Sequence, residues 1–280
     1  MNGNYRYALI LLTGLWLGGM GSTTALDFGE VVDLGNKLKK IVAEVPAEEE
    51  IRIGGNLISG LLGAAPLVKD QALQQYVNDV GYWVASRSSR SDLPWTFGVI
   101  DSNGINAFAA PGGYVVITLG LYNLLENEAQ LAGVLAHEIA HVVRKHHLTA
   151  LQKSMRREFL TDLTIVAVDD KKKGRRLEKL VNAGVQLYAT GLDRDDELDA
   201  DLRGVVLAAR AGYDPFALLD VLTTIDSINP AAEELTVMLK THPPIDDRLS
   251  RLAEQMDGQL DSFASGRTNP ERFRHVALSP

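Results

Sequence analysis

A run of small and apolar residues that carries four of the chain's six histidines, "GVLAHEIAHVVRKHH" at 133–147, is the feature that most constrains the fold. The pattern predicts one long helix, and Asn127, with Gln130 three residues on, marks its start as a capping box. Small neighbours around His137 and His141 indicate that this face of the helix is buried. Buried imidazoles without partners are costly, so the fold must bring polar groups from elsewhere to meet them.

The spacing of His137 and His141 predicts a metal site. Four residues apart on a helix, they are separated by only about 40° around the axis and about 6 Å along it, so both rings can reach one ion. Glu138, turned by about 100°, flanks that ion and can take a proton from water there. H-E-x-x-H is a zinc-peptidase pattern; two core histidines bonded to backbone groups are the alternative. His146 and His147 are predicted to lie on the surface at the helix C-terminus, where positive charge is favoured.

A third metal ligand is predicted from a second helix, since catalytic zinc takes three protein ligands and keeps a fourth position open. The segment "DRDDELDAD", residues 193–201, carries six acids. Glu197 and Asp201 share a helix face that continues through Gly204, and small residues there permit close approach to the Gly133 side of the histidine helix. We assign Glu197 as the third ligand and Asp201 as the acceptor that fixes a ligand imidazole. A solvated acidic helix start is the alternative; a calcium loop lacks its required glycine and spacing.

Two strands are predicted before the histidine helix. "WTFGVID" and "GYVVITL" are rich in β-branched and aromatic residues, and "NGINAFAAPGG" between them has the glycines and proline of a loop. Most other segments show helical periodicity. The predicted fold class is therefore α+β and predominantly α-helical, with a small sheet whose edge strand precedes the active-site helix.

The first 25 residues are predicted to be a secretory signal peptide. Arg6 precedes the apolar run "ALILLTGLWLGGMG", and "STTA" ends in Ala25, the expected cleavage point. An uncleaved membrane anchor is the alternative, although the run is short for a span of about 20 residues. Beyond it we expect an N-terminal helical segment at 26–68, a catalytic domain at 69–256 and a loosely ordered tail at 257–280.

Composition narrows the chemistry and the partners. The chain has no cysteine, so any metal must be held by imidazole and carboxylate groups. Without Arg6 it carries 27 basic and 36 acidic residues, and this acidic excess argues against nucleic acid as a partner. The oligomeric state stays open.

The two motifs together resemble one known family. H-E-x-x-H followed by E-x-x-x-D is similar to the gluzincin metallopeptidases of family forty-eight, which include periplasmic enzymes and membrane proteases of the HtpX and CAAX-processing types. The block "NAFAAPGGYVVITLGLYNLLENEAQLAGVLAHEIAHV", "AGYDP" and "HPPIDDRL" add to the resemblance, which covers residues 45–255. Two positions depart from the family pattern: Leu192-Asp193-Arg194 replaces a Tyr-Ser-Arg lead, and Asp199 replaces a glutamate. Neither change removes a proposed ligand.

The resemblance implies a zincin-like catalytic domain with one zinc ion per chain, held by His137, His141 and Glu197, and Glu138 as general base. It also implies that His242, in "THPP", either stabilises the oxyanion or fills the open zinc position at rest. The strand at "GGYVVITLG" is expected to bind an extended substrate by strand addition. The residues assigned to substrate binding are Gly113, Tyr114, Val115, Val116 and Ile117.

These features predict an exported, periplasmic zinc endopeptidase that cleaves unfolded or misassembled envelope proteins. Outer-membrane assembly machinery is a candidate partner. A non-catalytic holdase that binds extended chains along the same strand is the alternative, and a purely structural zinc site is a third. The intact Glu138 favours the enzyme, because a binding module needs no base beside its metal.

Overall fold

The computed structural model describes residues 45–161, 190–229, 231–235, 238, 241–256, 263 and 265–277. The predicted signal peptide at 1–25 lies outside the described residues. The described helices are α1 (Ala47–Ala64), α2 (Gln71–Ala85), α3 (Leu119–Leu124), α4 (Glu128–Val143), α5 (His146–Thr161), α6 (Arg194–Arg210), α7 (Ala217–Asp226), α8 (Ile245–Met256) and α9 (Pro270–Ala277). A 3-10 turn covers Glu233–Leu235. The described residues, which are mostly helical with one small sheet, confirm the predicted α+β class.

The sheet has three strands, β1 (Thr96–Ile100), β2 (Ala107–Ala110) and β3 (Tyr114–Thr118), in the order β1-β3-β2. β3 runs parallel to β1 and antiparallel to β2. The predicted loop between β1 and β3 therefore contains a strand, and the prediction that β3 is an edge strand is wrong. Gly112 and Gly113, at φ +85° and +104°, allow the tight reversal that returns the chain from β2 to β3.

The histidine helix α4 is the centre of the core and is buried from Glu128 to Val142. Asn127 caps it as predicted, since its side chain accepts a hydrogen bond from the Gln130 amide. The Gln130 side chain, however, accepts from the Glu126 amide at 2.8 Å, so the predicted capping box forms one residue earlier on that side.

The helix does not continue through residue 147 as predicted. It ends at Val143, Lys145 adopts φ +60°, and α5 begins at His146. His146 and His147 thus lie in the first turn of a new helix. The prediction that both are surface residues is wrong: His146 is buried and His147 is partly buried.

Helix α6 packs closely on α4, as its small residues predict. A Cβ atom on Gly204 would lie 2.9 Å from the backbone of His137, so only glycine permits this separation. This contact brings Glu197 and Asp201 of α6 toward the two histidines. Gly133 was predicted to face α6 as well, but it packs against Leu218 of α7.

The C-terminal segment packs against α2 and α4. Phe273 is buried, with its ring centroid 4.9 Å from that of Tyr122 and 6.3 Å from that of Tyr76. Asn269 donates a hydrogen bond to the buried Glu128 carboxylate at 2.8 Å. The predicted loose tail at 257–280 is therefore wrong for these residues. Within the described parts of the chain, every helix is too short or too polar to span a bilayer.

Candidate metal centre

Three side chains from two helices converge as the sequence predicts. One donor atom each from His137, His141 and Glu197 lies within 4.8 Å of the others, and all three residues are buried. The two Nε2 atoms are 3.1 Å apart. Glu197 places Oε2 at 3.7 Å from the His137 Nε2 and Oε1 at 3.6 Å from the His141 Nε2.

These distances fit a tetrahedral metal ion. Ligand bonds of about 2.0–2.1 Å at tetrahedral angles separate donor atoms by about 3.3 Å, close to the separations found here. Two imidazole nitrogens and one carboxylate are also a donor set that zinc accepts in catalytic sites. The residues present therefore fit a bound zinc ion.

Asp201 holds the His137 ring from behind, with its Oδ1 2.8 Å from the His137 Nδ1. Arg248 of α8 in turn holds Asp201, donating from Nε to Oδ2 at 2.8 Å and from Nη2 to Oδ1 at 2.6 Å. All three side chains are buried. This bidentate pairing fixes the carboxylate, and the carboxylate fixes the ring that faces the metal position.

Burial and charge set the protonation of the centre. Burial acts to lower the pKa of His137, but the carboxylates of Asp201 and Glu197 outweigh it and raise that pKa to about 10. Burial lowers the pKa of His141 well below its usual value. Burial acts to raise the pKa of Glu197, but the charge on His242, the hydrogen bond with His242 and the nearby His137 and His141 rings hold it well below the usual range. The centre thus keeps an anionic carboxylate beside two imidazoles, and metal binding there would release a proton.

Glu138 stands beside the ligands at the wall of a cleft. It is 4% exposed, and burial raises the pKa of its carboxyl group. A carboxylate with a raised pKa is a better proton acceptor near neutral pH. The cleft is lined by Glu138, His141, Glu197, His242, His147, Gly191, Leu192, Thr241 and residues 106–109.

His242 reaches this cleft from the segment before α8. Its Nδ1 lies 2.5 Å from Oε2 of Glu197, and its side chain is 16% exposed. The close approach of Gly191, at φ +79°, supports this segment, since a Cβ there would lie 2.0 Å from the Thr241 carbonyl oxygen. The structure therefore brings His242 together with the ligands.

Comparison with known proteins identifies the fold around this centre. Residues 71–256 match Peptidase family M48. The chain belongs to peptidase family M48. This membership confirms both the predicted family and the predicted class, a metallopeptidase.

The chain is similar in sequence to several named proteases. The chain is 31% identical over 207 residues to the β-barrel assembly-enhancing protease of Escherichia coli K12, covering 72% of this chain and 42% of that protein. It is 29% identical over 213 residues to a putative β-barrel assembly-enhancing protease of Vibrio cholerae, covering 74% and 44%. It is also 30% identical over 179 residues to the mitochondrial metalloendopeptidase OMA1 of Schizosaccharomyces pombe, covering 64% and 52%. The chain thus spans less than half the length of these bacterial relatives.

The residues predicted to bind substrate, Gly113–Ile117, lie mainly on β3, which is not an edge strand of the sheet. β3 is bonded to β1 on one side and to β2 on the other, so it has no edge for a substrate. β2, at the end of the strand order, supplies Ala107, Phe108 and Ala109 to the cleft wall beside Glu138. Sequence reasoning missed β2 because "AFAA" has few of the β-branched residues that mark strands.

His146 is a second residue that sequence reasoning misplaced. Its Nδ1 lies 3.0 Å from the Nδ1 of His141, on the opposite side of that ring from the metal position. The available signal was the pair of charged residues Arg144 and Lys145, which separates the two histidines from the apolar helix. It did not reveal the chain reversal at Lys145.

Proposed function

We propose that this M48 protein is a zinc-dependent endopeptidase with one zinc ion per chain. The observation that carries the proposal is the buried cluster of His137, His141 and Glu197, with donor atoms within 4.8 Å of one another. Glu138 lines the same cleft, and Ala107–Ala109 of β2 form part of the cleft wall. A base beside a metal and an accessible cleft favour catalysis over a structural metal site.

The residues of the cleft have distinct parts in peptide hydrolysis. Zinc bound there supplies the Lewis acid that activates water and polarises the peptide carbonyl. Glu138 takes a proton from the attacking water and delivers it to the leaving amine. Asp201 keeps the His137 ring oriented, and His242 is placed to stabilise the negative charge on the carbonyl oxygen or to fill the open ligand position at rest.

The substrate we propose is an extended segment of an unfolded or misassembled envelope protein. Such a segment would lie in the cleft between β2 and α4, where Ala107–Ala109 and Glu138 are neighbours. The names of the bacterial relatives support a link to outer-membrane assembly. Export through the signal peptide at 1–25 would place the enzyme in the periplasm.

The first prediction concerns the base. We expect Glu138→Gln to lower casein cleavage by about 10²- to 10⁴-fold, because the amide cannot accept the proton. Bound zinc should stay at one ion per chain, since the ligands are unchanged. Cleavage rates and metal content of both purified proteins provide the measurement.

Equal cleavage by the two proteins would eliminate Glu138 as base and with it the proposed chemistry. A wild-type protein that binds unfolded chains without cleaving them would favour the holdase. Removal of zinc with a chelator distinguishes a catalytic zinc site from a purely structural one. Loss of a catalytic zinc abolishes cleavage while the fold persists, whereas loss of a structural zinc unfolds the protein.

A further inference from the structure

His146 occupies a buried position directly behind the second metal-binding histidine. The reversal at Lys145 starts α5 and folds His146 back against α4, where its ring centroid lies 5.1 Å from that of His141. The side chain of His146 is 8% exposed. Its Nδ1 is 3.0 Å from the Nδ1 of His141, within hydrogen-bonding distance.

The surroundings of His141 decide which of the two rings, His141 or His146, donates the hydrogen bond between them. Its Nε2 faces the His137 Nε2 at 3.1 Å and the Glu197 Oε1 at 3.6 Å, so it is the nitrogen left free of hydrogen to bind a metal. A neutral imidazole then carries its hydrogen on Nδ1 and needs an acceptor there. The Nδ1 of His146 is the acceptor at that distance.

The other side of His146 is held as well. With Nδ1 accepting, its Nε2 carries the hydrogen and faces Oδ2 of Asp199 at 3.4 Å, with Oδ1 of Asp196 at 3.8 Å. Two guanidinium groups hold Asp199: Arg144 donates at 2.9 Å and Arg203 at 2.7 Å. The acceptor behind the ligand ring therefore faces a fixed carboxylate of α6.

We propose that His146 is a positioning residue of the metal centre, which accepts a hydrogen bond from His141 and holds that ring in the orientation that binds zinc. The inference rests on the proposed zinc site. Each of the two ligand histidines then has a supporting residue behind its ring. Asp201 supports His137, while His146, which faces Asp199, supports His141. Loss of such a support typically weakens metal binding by about 10- to 100-fold.

The test compares two replacements of His146 by zinc affinity, measured in competition with a chelator of known affinity. His146→Leu fills the space but removes the acceptor, and we expect zinc binding about 10- to 100-fold weaker than in the wild type. His146→Asn keeps an acceptor oxygen near the place of Nδ1, and we expect affinity within a few-fold of the wild type. Melting temperatures of the metal-free proteins show whether each variant is folded.

Each outcome decides the role of His146. The inference would be overturned if the leucine variant bound zinc within twofold of the wild-type affinity, or if the asparagine variant bound zinc as weakly as the leucine variant. If the leucine variant does not fold, His146→Gln replaces it in the comparison, because the glutamine amide reaches the position of Nε2 rather than that of Nδ1. Zinc binding by the glutamine variant as tight as by the asparagine variant would then overturn the inference. A wild-type protein that binds no zinc would instead refute the proposed function, so the two failures are distinct.

Discussion

At the scale of single residues, buried groups of opposite charge hold the side chains of the candidate metal centre in place. Asp201 is 1% exposed and lies between His137 and Arg248. The charge of Arg248 and its hydrogen bonds to Asp201 keep the pKa of that carboxyl group far below its ordinary value against the opposing effect of burial. The anionic Asp201 holds the His137 ring. Arg248 therefore affects the metal position through Asp201 and His137.

Removal of Arg248 tests this dependence. We expect Arg248→Leu to lower the free energy of unfolding by about 3–5 kcal/mol, because the buried Asp201 carboxylate loses its bidentate guanidinium partner. The same change at Arg194, which pairs with Asp247 at 2.9 Å on the surface, should cost at most about 1 kcal/mol. Denaturant titration of both variants measures the difference, and equal losses would contradict a special role for the buried pair.

His242 gives a second prediction at this scale. If it stabilises the developing oxyanion, His242→Ala should lower kcat about 10²- to 10³-fold with little change in KM. Steady-state kinetics on a peptide substrate measure both constants. A rise in kcat would show instead that His242 fills the open ligand position at rest.

At the scale of elements, the separation between α4 and α6 sets the distance between the ligands. His137 and His141 come from one helix and Glu197 from the other, so any shift of α6 moves the carboxylate away from the rings. Gly204 lies against the His137 backbone itself, because a Cβ atom there would be 2.9 Å from it. Backbone atoms cannot rotate aside as a flexible side chain can, and the contact therefore leaves little tolerance.

A methyl group at this contact should separate the helices. We expect Gly204→Ala to destabilise the protein by about 1–3 kcal/mol through overpacking and to weaken zinc binding. Gly60→Ala is the matched control, because nothing lies within 4 Å of a Cβ there. Alanine at that helical position should stabilise the protein by about 0.5–1 kcal/mol. Thermal melting and zinc titration of both variants distinguish a general glycine effect from the helix contact.

At the scale of the whole molecule, the C-terminal segment ties distant elements to the start of the histidine helix. Glu128, the first residue of α4, is fully buried and accepts hydrogen bonds from Tyr76 of α2 at 2.8 Å and Tyr213 at 2.9 Å. Asn269 and Arg272 donate to the same carboxylate from beyond residue 256, where the family match ends. Burial raises the pKa of both tyrosines, so their hydroxyls remain donors.

Two phenylalanines of this segment test its contribution. Phe273 is 4% exposed, and we expect Phe273→Ala to cost about 3–5 kcal/mol in the free energy of unfolding. Phe263 is 45% exposed, and its change to alanine should stay within about 0.5 kcal/mol of the wild type. Denaturant titration compares them; similar small effects would mean that the segment adds little to stability.

The cluster of His137, His141 and Glu197 could be predicted from sequence because each part of the pattern is local. Helical periodicity alone puts His137 and His141 on one face, and the same periodicity joins Glu197, Asp201 and Gly204. The cap at Asn127 is likewise a contact within one turn. Family resemblance added His242, whose place depends on a separate segment.

Only the tertiary structure decided the strand order, the burial of His146 and the docking of the C-terminal segment. A strand as short and alanine-rich as β2 is defined by its hydrogen bonds to β3, and these join residues that local patterns do not pair. Lysine rarely adopts the positive φ found at Lys145, so the reversal there follows from packing of α5 on α4. The sequence by itself determined which side chains share a helix face, because that depends on backbone geometry over a few residues; which faces meet depends on the burial of the whole core.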